Sequence, residues 1–156
     1  MALMTPRRLL MISGILMLLG AAAHTFGFLA PKTDQGDIAL ENAMHLFHYP
    51  PGMGMSPTKL DVFMVVVFNM SVTFAAFGIL NLVLAGARDL PAAILRRVII
   101  VNIVWVAASI AVGAYYQVPP ALISGILIEI PLIGALFAGK GNAATEPAKA
   151  GGRKRK

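Results

Sequence analysis

The chain has 156 residues, 58% of them hydrophobic and 13% charged, with a net charge of +6 and no cysteine. Its length fits one domain, and the apolar excess lies far from the balance of a water-soluble domain. The lack of cysteine excludes disulfides, thiolate metal sites and thiol-redox chemistry, and with them a four-helix disulfide-exchange enzyme of similar size.

Crossing a hydrocarbon core takes about 20 mostly apolar residues. Four runs meet that length, over roughly 9–29, 62–85, 98–116 and 120–138. Backbone polar groups in lipid need internal partners, so only helices or closed barrels span it. No alternating barrel strands are present. The expected fold is therefore all-α: a polytopic four-transmembrane-helix bundle in residues 1–139, followed by a tail over 140–156.

The first run starts "MALMTPRRLLMISGILMLLGAAA", which also has the layout of a signal peptide. The apolar stretch continues through "HTFGFLA", so a retained first span is predicted. On it Ser13, Gly20, His24 and Gly27 share a face, and small residues mark close helix contact. His24 is expected to point inward.

Residues 30–60 form an outer loop. "PKTDQGD" is a turn in which Pro31 stops the span and Asp34 or Asp37 caps the next segment. "IALENAMHLFH" has helical spacing, with Leu40, Met44 and Phe47 on one face and Glu41, His45 and His48 on another. It predicts a short amphipathic helix on the outer membrane surface. Glu41, His45 and His48 are competent ligands for Zn or Fe, and His24 or Asp61 is placed to supply a fourth if the loop folds back. The competing reading is a solvated polar face. "YPPGMGMSP" ends the helix, since Pro50 and Pro51 cannot continue it. Its methionines read as membrane-dipping side chains, with a copper site as the minor alternative. Ser56 or Thr58 is expected to cap the second span.

The second run carries Asn69 with Thr73 and Ala76, and also Asn81. "GARDLP" then turns into the third, where Asn102, Trp105, Ser109 and Tyr116 recur at helical spacing. The connection "QVPP" is so tight that the third and fourth spans must be antiparallel neighbours. The fourth run, "GILIEIPLIG" at its centre, places Gly125 one turn before Glu129.

All of the 13 Lys and Arg except Lys32 and Lys59 fall at the amino terminus, in the second connection or in the tail. The positive-inside rule then places both termini in the cytoplasm of an inner-membrane, multi-pass protein. The same distribution accounts for the positive charge without nucleic acid. The tail "GNAATEPAKAGGRKRK" has no apolar periodicity and reads as disordered. Its basic end can meet anionic headgroups at about 1 kcal/mol per residue.

Depth gathers three polar groups. At about 1.5 Å per residue, Glu129 lies roughly 15 Å, Asn69 about 12 Å and His24 about 8 Å from the outer surface. Polar residues in spans face the bundle interior or a cavity. The expectation is an outward-opening pocket with Glu129 at its floor and His24 and Asn69 above, and with Asp61 and Tyr116 as further candidate residues. Pro131 frees the Leu127 carbonyl beside Glu129 and adds polar lining. Glu129 is expected to be neutral, hydrogen-bonding or proton-exchanging. The alternative is that these groups only fasten helices together. No phosphate loop, Ser-His-Asp order or paired catalytic carboxylates are present.

The segment "LLGAAAHTFGF" with "SPTKLDVFMVVVFNMSVTFAAFGILNLVLAG" resembles a family of small uncharacterised bacterial four-helix membrane proteins. In that family the first span ends in His-Thr-x-Gly, here His24-Thr25-Phe26-Gly27, and the second begins with an acidic residue, here Asp61. The likeness covers roughly residues 7–115, and the loop and basic tail match it least. A looser likeness, in size and layout, is to the DoxX-type membrane proteins. The resemblance implies a four-helix bundle and no established activity. Three functions are expected to compete: binding of a quinone or lipid-like molecule in the pocket, a proton-exchanging enzyme or carrier using Glu129 and His24, and a structural subunit that binds a membrane partner or further copies of itself.

Overall fold

The computed structural model describes residues 4–51 and 55–141, with the side chains of 139–141 excepted. Among the described residues there are five helices: α1 (Pro6–Leu29), α2 (Gln35–Leu46), α3 (Lys59–Gly86), α4 (Ala92–Tyr115) and α5 (Pro119–Gly141). No strand occurs among them, although an antiparallel bridge pairs His48 with Thr58. All but α2 are long and apolar enough to cross a membrane, which suggests a multi-pass membrane protein.

Each long helix outruns the apolar stretch that predicted it. α1 begins at Pro6, α3 at Lys59 and α4 at Ala92, six residues ahead of the expected boundary at 98. Hydropathy marks only the part suited to hydrocarbon. Arg96 and Arg97 end that part but are good helix formers, so the helix runs on through them. α5 likewise continues to Gly141, past the expected start of the tail at 140, and its helix is unbroken at Pro131. The rest of the tail, from 142, and "GMG" at 52–54 lie outside the described residues.

The chain divides into two compact units, one covering Gly14–Leu80 and the other up to Ser13 and from Asn81 onward. In the first, α1 and α3 approach closely at Gly78, where an added Cβ would lie 2.9 Å from the Gly14 carbonyl oxygen. α2 begins at Asp34, whose Oδ1 accepts from the amides of Gly36 (2.8 Å) and Asp37 (3.1 Å). It contributes no fully buried residue, as a surface helix should.

In the second unit Leu10, Ile99, Val106, Ile128 and Leu132 are fully buried. α4 turns into α5 through a Schellman motif: Gln117 adopts a left-handed φ of 55°, its N–H donates to the Ala114 carbonyl, and the Val118 N–H donates to the Gly113 carbonyl. Gly125 lets α5 seat on Ile110 of α4. The Arg7 guanidinium holds the α3–α4 turn by donating to the carbonyls of Ala87, Arg88 and Leu90. The first of these, Ala87, directly follows the negative end of α3, where a cation is favourable.

A buried polar cluster fastens this unit. The Asn81 and Asn102 carboxamides exchange hydrogen bonds of 3.0 and 3.1 Å. Asn102 also donates to the Val98 carbonyl at 2.9 Å, and Ser13, 3.5 Å from the Asn81 amide, donates to the Leu10 carbonyl. Apolar side chains are spread widely over the surface of the long helices, Val65 and Phe26 among them. In lipid such surface costs nothing, and specificity falls to polar pairs and close packing.

Candidate functional site

The first unit contains a groove of about 540 Å³ between the end of α1, α2 and the start of α3. That size is within the range of small-molecule sites. Phe28 and Leu29 come from α1, Leu40 and Met44 from α2, and Leu60, Phe63 and Met64 from α3. Asp37 and Glu41 share the groove side of α2 with Leu40 and Met44, at i, i+3, i+4 and i+7. Lys32, in the α1–α2 turn, completes the lining and lies over the Phe28 ring at 5.5 Å. The groove is thus apolar inside and carries both charge signs.

His24 sits one turn before Phe28, with ring centroids 5.0 Å apart, and Phe28 meets Phe63 edge-on at 5.7 Å. A row of rings therefore connects His24 to the groove wall. His24 is half-buried, and its Nδ1 lies 3.0 Å from the Ser71 hydroxyl of α3. His24 is thus turned toward α3, where its partner is Ser71, which hydropathy did not single out, while Gly20 and Gly27 on its expected face make no close helix contact.

Asn69 does not join it. Its side chain is exposed and forms no hydrogen bond with another described residue; only its backbone carbonyl is engaged, by the Thr73 hydroxyl at 2.8 Å. Glu129 belongs to the other unit. It is half-buried on α5, and its Oε2 is enclosed without a hydrogen-bond partner among the described residues. Tyr116, also in that unit, is the C-cap of α4, exposed, with its ring edge-on to Tyr115 at 4.9 Å.

Asp61 has a local task. Its Oδ2 accepts from the Thr58 amide (2.8 Å) and hydroxyl (2.7 Å), while its own N–H donates to Thr58 Oγ1 (3.0 Å). This is a capping box at the start of α3, and Thr58 is the cap rather than Ser56.

The expected stripe of Glu41, His45 and His48 is broken. α2 ends at Leu46, and Phe47 is extended, with φ −96° and ψ 116°. His48 then enters the bridge with Thr58, and its Nδ1 lies 3.0 Å from the Ser56 carbonyl oxygen. The amides of Tyr49 and Lys59 bond the carbonyls of Pro57 and Phe47, closing the loop on itself. Among the described residues no group of three His, Asp or Glu side chains is arranged to hold a metal ion.

No family model, no curated protein and no solved structure matches the chain.

Proposed function

We propose that this chain is an inner-membrane protein that binds a small lipid-phase molecule, a quinone or a lipid-like amphiphile, in the groove beneath α2. The observation that carries this reading is the groove itself: an apolar interior, a rim of Lys32, Asp37 and Glu41, and walls formed by the ends of two apolar helices. An amphiphile would place its chain against Leu40, Met44 and Phe63 and its polar end at the rim. α2, with its own cap and no buried residue, acts as the lid. Both termini face the cytoplasm and the groove faces outward, on the strength of the Lys and Arg distribution. The likeness of the His24–Gly27 and Asp61 segments to small bacterial four-helix membrane proteins supports that placement and adds no activity.

The test is native mass spectrometry of the full chain, extracted gently from its own membrane. A reproducible small adduct is expected. It should be lost in Met44→Trp, which fills the groove, and kept in Asn69→Leu, which does not touch it. A chain that is bare in every extract, or an adduct indifferent to Met44→Trp, refutes the reading.

Three observations favour two other readings. The Asn81–Asn102 pair and the His24–Ser71 contact support a structural subunit whose polar groups fasten helices. The enclosed, unpartnered Oε2 of Glu129 supports proton exchange by an enzyme or carrier. Glu129→Gln separates them: it removes turnover or transport without loss of stability in the second case, and alters assembly or stability in the first.

A further inference from the structure

We infer that the exposed face of α3 around Asn69 is a contact between two copies of this chain. Asn69 lies about 12 Å along the helix from Asp61, well inside the apolar part of the span. Its carboxamide is exposed and bonds nothing among the described residues. With 3.6 residues per turn, Val65, Val66, Val72, Ala76 and Leu80 all fall within about 60° of it around the helix. Each of them is exposed. The result is an uncharged, largely apolar stripe with one carboxamide at its centre, beside the Thr73 hydroxyl that is already bonded to the Asn69 carbonyl.

In water that carboxamide would need nothing further. At membrane depth no solvent is present to take up its donors and acceptor, and polar side chains there turn to another helix. A carboxamide both gives and accepts, so it is complementary to itself. A two-fold axis passing near residue 69 would bring two Asn69 side chains into the reciprocal pair the chain already builds between Asn81 and Asn102. The stripe carries no ionised side chain, so nothing on it calls for a partner of opposite charge. Ala76, two turns on, is small enough for backbones to approach.

The chain has no cysteine, so single cysteines report on this face without background. The full chain is placed in lipid bilayers and oxidised. Disulfide-linked dimers are expected for Val65→Cys, Val66→Cys and Ala76→Cys, where the Cα atoms of the two copies would come within about 7 Å. They are not expected for Met70→Cys, which is exposed but about 100° away around the helix. Asn69→Leu should weaken self-association roughly tenfold, and Asn69→Gln, which retains the amide, should restore most of it. Cross-linking that is absent on the stripe, equal at Met70→Cys, or directed to a different protein overturns the inference, as does undiminished association of Asn69→Leu.

Discussion

Replacing both members of the buried carboxamide pair by leucine should cost less than the two single replacements summed. Asn81 is 0% and Asn102 1% exposed, and two hydrogen bonds of 3.0 and 3.1 Å join them across α3 and α4. Interhelical hydrogen bonds in membranes average about 0.6 kcal/mol and reach about 1.7. Losing two accounts for about 1–2 kcal/mol. The amide that stays behind also loses a partner in a site without water, at about 1–3 kcal/mol. Asn81→Leu and Asn102→Leu should therefore each destabilise by about 2–5 kcal/mol. The double variant leaves neither amide behind, and its cost should fall at least ~1.5 kcal/mol short of the sum. The assay is reversible unfolding in mixed micelles by added SDS, followed by far-UV circular dichroism. Single costs below about 0.5 kcal/mol, or a double equal to the sum of the singles, would refute the claim that this pair fastens the unit.

Further outcomes can be checked by the same unfolding assay. Gln117→Gly should stabilise by about 0.4–1 kcal/mol, because glycine enters the left-handed region at φ 55° without the strain of a side chain. Gly78→Ala should destabilise by about 1–3 kcal/mol, since the new methyl would meet the Gly14 carbonyl oxygen at 2.9 Å and a backbone cannot move aside as a side chain does. Thr58→Val should cost about 1 kcal/mol through the lost cap and raise amide hydrogen exchange in the first turn of α3. Arg7→Ala should raise exchange in the α3–α4 turn, where three carbonyls lose their guanidinium donor.

The four long helices were legible in the sequence because hydrocarbon thickness sets a length that few soluble segments reach. Their ends were less legible: Lys59, Arg96 and Arg97 are polar but helix-compatible, so hydropathy stops where the helix does not. His24 meets another helix at Ser71, but not through the small-residue face expected for it, since a Cβ at Gly20 or Gly27 would meet nothing within 4 Å, and Ser71 gave no signal, because a lone serine in an apolar run hardly changes its character. Asn69 shows the limit of depth as a guide. Distance along a helix says how deep a residue lies and nothing of which way it faces, and an apolar ring of neighbours offers no amphipathic stripe to orient it. The loop stripe failed for a different reason: Phe47 leaves the helix and carries His48 into the bridge with Thr58. The Asn81–Asn102 pairing depends on the register of α4 against α3, which is a tertiary quantity.

The closed turn between α4 and α5 also bears on how the protein is made. From Tyr115 to Val118 the tip contains no ionised side chain, and its capping hydrogen bonds are satisfied within the turn. Under the proposed membrane placement, two apolar helices joined in this way would enter a bilayer as one hairpin with no ionised side chain at its tip. Charged residues added to the tip would then raise the cost of entering the bilayer as a hairpin.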